Sequence, residues 1–249
     1  MNFRNLSLLL CLFASPVVVF AQEPERRVDL NIRAGFSIGA SAPMNMPVTI
    51  RKIESYNPGL GLSLEAGAHY HINTQWGLAT AVRFEQKGMT TNARVKGYYT
   101  TFNEGGAGSS QSITGYFTGS VQTKVKNDYL TIPLHLTYSF NSPLTLKLGG
   151  YASYLLENSF TGKASDGYIR DQTPTGVKEE INEASYNFSS EARKFNAGLE
   201  IAADYKVKSH FYISGNFSYA LTPLMKPEFK SVDFDLHNLF LNLGVGYRF

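Results

Sequence analysis

Residues 239–249, Leu-Phe-Leu-Asn-Leu-Gly-Val-Gly-Tyr-Arg-Phe, are the stretch that decides the fold. Large apolar side chains occupy alternate positions from Leu239 to Phe249. The positions between them are Phe240, Asn242, Gly244, Gly246 and Arg248. A period of two is that of a β-strand, so this strand has one apolar face and one small, polar face.

The first 21 residues have the pattern of a secretory signal peptide. Arg4 supplies the positive start, residues 6–20 are mostly apolar, and Ala21 completes a cleavage pattern. The apolar run is too short to predict a membrane-spanning helix. We expect the mature chain to begin at Gln22, with residues 22–27 as a charged periplasmic linker and residues 28–249 as one domain.

Cysteine usage and charge exclude some functions of the mature chain. Cys11 is the only cysteine and lies within the signal, so no disulfide or thiolate metal site is expected. Removing the signal removes Arg4 and no acid, so the net charge falls from +3 to +2. This charge is too small to indicate a nucleic-acid partner.

Seven earlier segments repeat the alternation of the last strand. The eight predicted strands are Val28–Gly39, Gly59–Ile72, Trp76–Met89, Asp128–Phe140, Leu144–Leu156, Phe195–Tyr205, His210–Leu221 and Leu236–Phe249. Their connections alternate between long and short along the chain. This rhythm is typical of an up-and-down barrel in an outer membrane, with short periplasmic turns and long extracellular loops. The sequence therefore predicts an all-β, eight-stranded antiparallel transmembrane β-barrel in the bacterial outer membrane.

Charged residues share the small face of the predicted strands. They are Arg33, Glu65, Arg83, Glu85, Lys87, Lys147, Glu200, Asp204 and Arg248. An Arg or Lys facing lipid at mid-depth would cost about 2–4 kcal/mol, so these side chains belong in the lumen or at the rims. Eight strands enclose little space, which favours a closed network of ion pairs. The alternative is a narrow channel for small solutes.

Several stretches resemble the PorT-like outer-membrane β-barrel domain of Bacteroidetes. They are Phe84–Gly88, Tyr129–Leu134, Gly149–Tyr151, Tyr154–Leu156, Phe195–Glu200 and the last strand ending in Arg248 and Phe249. The resemblance covers nearly the whole mature chain and implies the barrel fold and the outer-membrane location. Named members of that family assist type IX secretion. The resemblance also implies that Tyr247 and Phe249 form a C-terminal signal read by the assembly machinery.

Other candidate sites are weaker in the sequence. His69 and His71 share one face near a short turn, but the sequence places no acid beside them to complete a metal site. His135 faces the lumen without a serine or acid implied by spacing, so we expect no catalytic residue, no cofactor and no metal. The loops at 90–126 and 157–193 are long enough to be either binding loops or solvated, variable segments.

We therefore expect a monomer without enzymatic activity that acts structurally or through its external loops. The expected partners are outer-membrane lipid, the outer-membrane assembly machinery and an envelope or secretion-system protein. Nucleic acid is not expected. A lipid-modifying enzyme is the alternative of another class.

Overall fold

The computed structural model describes residues 27–43, 47–104, 112–141, 143–171, 173–229 and 234–249. The predicted signal, linker residues 22–26 and the glycine-rich segment 105–110 lie outside the described residues. The ten strands are β1 (Val28–Pro43), β2 (Ile50–Gly59), β3 (Gly61–His71), β4 (Trp76–Glu104), β5 (Ser112–Ser139), β6 (Leu144–Asp171), β7 (Lys178–Asn187), β8 (Phe195–Lys206), β9 (Phe211–Ala220) and β10 (Leu236–Arg248). A short 3-10 helix spans Ser189–Glu191. Within these ranges, no helix has the length and apolarity needed to cross a bilayer.

Eight of the ten strands close into a ring. Antiparallel pairing runs in the order β1, β3, β4, β5, β6, β8, β9 and β10, and β10 pairs with β1. The seam between β10 and β1 extends from Asn31↔Arg248 to Pro43↔Leu236. The predicted eight-stranded barrel is thus confirmed, while β2 and β7 pair with the barrel strands without entering the ring.

The two faces of the ring strands differ as the alternation predicts. Leu64, Ile132, Leu148, Ile213 and Leu243 are examples of exposed apolar side chains on the outer face. Charged, hydroxyl and amide side chains are buried on the inner face. A barrel with an apolar exterior of this kind places its outer face against lipid.

Three ring strands are much longer than predicted. The structure continues β4 to Glu104, begins β5 at Ser112 and continues β6 to Asp171. Beyond Gly88, the outward side chains become polar, as at Asn92 and Arg94. Strands can pair there without apolar residues on their outer face, because that face contacts water and not lipid. The expected strand ends at Met89, Asp128 and Leu156 are therefore wrong.

These strand continuations build a second layer above the membrane-facing ring. We call it the β-extension and define it as residues 88–104, 112–127 and 157–171 together with β2 and β7. β2 pairs with β4, and β7 pairs with β6 and the end of β4. The β-extension stands at the long-loop end of the barrel, opposite the short turns.

Candidate functional site

Nine charged side chains fill the part of the lumen nearest the short turns. We call Arg33, Glu65, Arg83, Glu85, Lys87, Lys147, Glu200, Asp204 and Arg248 the charge network. They come from six different strands of the ring, β1, β3, β4, β6, β8 and β10. Each of them lies within 4.0 Å of an oppositely charged member, and most are almost fully buried. The lumen therefore brings together the residues that the strand alternation placed on one face.

Arg83 is the centre of the larger group. Its two terminal nitrogens each donate to one carboxylate oxygen of Glu200, both at 2.9 Å. Its Nε donates to Oε2 of Glu65 at 2.8 Å. Arg33 donates to the same Glu65 oxygen at 2.8 Å. One guanidinium thus links β4 to β3 and, across the lumen, to β8, with the bidentate geometry that makes Arg–carboxylate pairs strong.

A smaller group lies nearer the rim. Lys147 Nζ is 2.5 Å from Oδ2 of Asp204, and the guanidinium of Arg248 is 4.0 Å from the same oxygen. Between the two groups, a space of about 20 Å³ is bordered by side chains that include Arg33, Glu65 and Lys147. This volume holds roughly one water molecule. The described lumen is therefore filled at this level.

An aromatic layer separates the charge network from the β-extension. The ammonium group of Lys87 lies 5.5 Å from the ring centre of Tyr129, 5.3 Å from that of Tyr151 and 5.5 Å from that of Phe240. The same group contacts Oε1 of Glu85 at 3.0 Å. A cation over ring faces is attracted by their negative quadrupole. Lys87 therefore joins the charged layer to the aromatic layer (Tyr129, Tyr151 and Phe240).

Above the aromatic layer, the interior becomes apolar. The buried cluster of the β-extension and the adjoining loops comprises Met89, Val95, Phe102, Phe117, Val125, Phe160, Ala164, Ile169, Ile181, Ala184, Tyr186, Leu224, Met225 and Leu236. Phe102 packs edge-to-face on Phe117, with ring centres 5.0 Å apart. The strand continuations are thus held by a hydrophobic core of their own.

A cavity of about 190 Å³ opens within this apolar region. Its walls include Met89, Ala93, Phe102, Phe160 and Tyr186. The cavity therefore combines a mostly apolar lining with a few hydroxyl groups, as small-molecule sites commonly do.

Tyr186 is one of the buried residues of this wall that carry a hydroxyl group. Its hydroxyl lies 2.6 Å from Thr123 Oγ1 and donates to the backbone oxygen of Gln122 at 3.2 Å. Burial raises the pKa of Tyr186 well above its usual value. The phenol therefore stays neutral across physiological pH and keeps its hydrogen bonds to β5.

Two histidine assignments made from sequence need correction. His135 Nε2 lies 3.0 Å from Glu200, so an acid does accompany it. His71 Nε2 lies 2.8 Å from Asp29, so an acid also lies beside the His69 and His71 pair. Both acids come from strands that are distant in sequence, and spacing along one strand cannot reveal them.

The last strand ends in an aromatic cluster at the short-turn rim. Tyr247 stacks on His210 with ring centres 5.3 Å apart and meets Phe211 and Phe249 edge-on at 5.2 and 5.1 Å. The backbone N–H of Phe249 donates to Leu30 at 2.9 Å. Both candidate signal residues therefore sit at the seam of the ring.

A family model described as an outer membrane protein beta-barrel domain matches residues 20–226. The chain belongs to this family. Its barrel lies in the bacterial outer membrane. Because such barrels have short periplasmic turns and long external loops, we expect the β-extension on the external side. No curated protein sequence matches the chain significantly.

Solved structures of outer-membrane proteins are similar to this barrel. The attachment invasion locus protein Ail of Yersinia pestis is 15% identical, with 89% of this chain and 97% of that chain covered and a TM-score of 0.36. A major outer membrane protein from Thermus thermophilus is 17% identical over 89% and 99% of the chains, with a TM-score of 0.45. OprG from Pseudomonas aeruginosa is 13% identical over 89% and 95%, with a TM-score of 0.37. At these TM-scores the likenesses support no inference about function.

Proposed function

We propose that this outer-membrane barrel is closed to solutes and binds a small apolar ligand in its external β-extension. The observation that carries the proposal is the 190 Å³ cavity, which lies in the apolar interior above a lumen filled by the charge network. The proposed role is recognition at the cell surface rather than catalysis. In support, the His135–Glu200 pair is buried in the filled lumen.

The size and lining of the cavity define the class of ligand. An engineered apolar cavity of about 150 Å³ binds benzene, so 190 Å³ accommodates a small aromatic ring or part of an acyl chain. Burial of such a group is favourable by roughly 25 cal/mol per Å² of apolar surface removed from water. The ligand is therefore apolar, or carries an apolar group that enters the cavity.

The cavity is both preformed and accessible. Its walls are paired β-strands with a hydrophobic core, so little ordering is needed when a ligand binds. Ile53 and Tyr56 on β2 line it and are about half-exposed, at 45% and 44%. A ligand can therefore enter beside β2 from the external solvent.

A bulky side chain at Ala93 should block ligand binding. Ala93 lines the cavity from β4, and Trp at this position would fill much of its volume. We expect Ala93→Trp to weaken binding of the fluorescent probe 1-aminoanthracene at least about tenfold. The measurement is a fluorescence titration of the refolded barrel in lipid nanodiscs, with empty nanodiscs as the baseline. Competition with octanoate tests whether an acyl chain shares the site.

The matched control is Ala152→Trp, which adds the same side chain on the lipid-facing side of β6. This variant should bind the probe as the parent protein does, and a heat-modifiable gel shift checks that both variants fold. Equal binding by the parent protein and Ala93→Trp would refute the cavity as the site. Steady conductance in planar bilayers would refute the closed barrel and favour the channel alternative.

We further propose that the barrel is PorT-like and takes part in an envelope assembly. The sequence stretches that carry this resemblance meet inside the lumen. Glu85 and Lys87 come from the first stretch, Tyr129 and Tyr151 cover Lys87, and Glu200 pairs with Arg83. The support is that these stretches form one packed unit. Copurification from native outer membrane tests the proposal: secretion-system proteins should be enriched, and their absence would count against it.

A further inference from the structure

Three potential metal ligands meet at the periplasmic rim. Asp29 on β1 is the direct register partner of His69 on β3, and His71 follows two residues later on the same face. One ligand atom from each of the three side chains lies within 4.8 Å of the others. The two histidine rings are 4.3 Å apart between centres.

His69 has an unused ring nitrogen. The residue is 3% exposed, and its Nε2 lies 2.7 Å from Thr137 Oγ1. Its Nδ1 is buried and has no hydrogen-bond partner. When Nε2 carries the proton and donates to Thr137, Nδ1 holds a free lone pair. A buried acceptor without a hydrogen-bond partner is unfavourable. A ligand that binds this nitrogen would remove that penalty.

The other two ligands are partly open to the periplasm. Nε2 of His71 is 2.8 Å from Oδ2 of Asp29, and the side chains are 33% and 20% exposed. Glycine at position 77 makes room for the His69 ring, because a Cβ there would lie 2.6 Å from its Nε2. The site thus has a buried inner ligand, two outer ligands and access from solvent.

We propose that Asp29, His69 and His71 bind a divalent transition metal ion of the zinc class. Two imidazoles and one carboxylate, with water in the fourth position, form a common tetrahedral zinc set. With bond lengths near 2.1 Å, donor atoms in a tetrahedral site lie roughly 3.3 Å apart. The three ligand atoms lie within 4.8 Å of one another, and Nε2 of His71 is 2.8 Å from Oδ2 of Asp29. Metal binding therefore requires side-chain shifts of up to about 1.5 Å, with the His71–Asp29 pair moving slightly apart. Thr137 Oγ1 then accepts the hydrogen bond from Nε2 of His69, as second-shell groups do for metal-bound histidines.

Nearby charge is compatible with a cation here. Lys147 and Arg248 act electrostatically on His69 and oppose a positive ion. Both also contact the single carboxylate of Asp204, which offsets part of their charge. Asp29 supplies a negative ligand directly. The net effect lowers metal affinity below that of an isolated His-His-Asp set without abolishing it.

Binding would connect the first two strands of the ring. Asp29 lies on β1, which also forms the seam with β10, whereas both histidines lie on β3. An ion that binds the folded barrel and not the unfolded chain raises stability by mass action. The metal would therefore cross-link β1 and β3 at the periplasmic rim, beside the seam.

The test is titration of the metal-free, untagged, refolded barrel with Zn²⁺ by isothermal calorimetry. We expect one Zn²⁺ per chain, at least about tenfold weaker binding by Asp29→Asn, and loss of binding by His71→Ala. Co²⁺ should give the visible absorption bands of a tetrahedral site in the parent protein, and these bands should be weakened in Asp29→Asn and lost in His71→Ala. Replacing the buried His69 could prevent folding, so His69→Ala is not needed for the test. Asp29→Asn changes a partly exposed side chain for one of the same shape, and this variant is expected to fold.

The control is His210→Ala, which removes a rim histidine that contacts Arg248 and Tyr247 instead. This variant should bind Zn²⁺ as the parent protein does. The proposal is overturned when the parent protein binds no Zn²⁺, or when Asp29→Asn and His71→Ala bind as tightly as the parent.

Discussion

Arg83→Met should destabilise the barrel by about 3–5 kcal/mol, the range for breaking a buried ion pair by removing one partner. The substitution leaves the carboxylates of Glu65, Glu85 and Glu200 without their shared guanidinium. Arg83 is 1% exposed, so water cannot replace its hydrogen bonds. The measurement is equilibrium unfolding in urea from lipid vesicles, with the folded fraction read from heat-modifiable gel mobility.

Arg94→Met is the matched control on the same strand. Arg94 pairs with Glu54 at 2.9 Å, but their side chains are 58% and 37% exposed. Such a surface pair contributes about 0–1 kcal/mol, so this variant should unfold close to the parent protein. Adding Glu200→Gln to Arg83→Met should recover part of the loss, because one unpaired buried charge disappears. Equal destabilisation by Arg83→Met and Arg94→Met would contradict the role of the charge network.

Gly149→Ala should also destabilise the barrel, by about 1–3 kcal/mol, as expected for overpacking. Gly149 faces the lumen on β6 opposite His135 on β5. A Cβ there would lie 1.9 Å from the backbone oxygen of Leu134 and 2.8 Å from Cα of His135. Both atoms are backbone, so no side-chain rotation relieves the contact and the two strands must separate. The same unfolding measurement applies.

The neighbouring Gly150 provides the control, because it lies on the opposite face of the same strand. A Cβ at Gly150 meets the backbone oxygen of Gly198 at 3.2 Å, which a small shift relieves. Gly150→Ala should therefore cost less than about 1 kcal/mol. A larger effect at Gly150 than at Gly149 would show that the inward contact is not what requires glycine.

The ring itself could be predicted from the sequence because lipid imposes a simple rule. Outward positions must be apolar and inward positions can be small or charged, so strands such as Leu236–Arg248 show a clear period of two. Burial of Arg33, Glu85 and Glu200 follows from that same alternation. The alternation does not predict which charged residues form ion pairs with each other. Arg83 and Glu200, for example, are 117 residues apart and come into contact only in the closed ring.

The same rule predicts little of the β-extension because the outer face of this region meets water. Only its tip is predicted, as a hairpin of Tyr98–Phe102 and Ile113–Val121, and the structure pairs Tyr98 with Phe117 and Phe102 with Ile113. Polar residues on that face, such as Asn92 and Lys124, resemble a loop by composition. An inner alternation was nevertheless present at Met89, Ala93 and Val95, and it marks the apolar interior of the cavity. The period of two therefore continues past the membrane boundary and is the sequence signal for these strand continuations.

The seam between β1 and β10 has a consequence for the time course of folding. Residues 31–43 pair with residues 236–248, so the ring can close only when the first and the last strand of the chain meet. Before closure, both strands have an edge of unpaired backbone groups, which can pair with other chains. Contacts of such long sequence separation also form slowly. The vulnerable species during export is therefore the open sheet, and whatever shields β1 during that interval governs how much of the protein reaches the membrane intact.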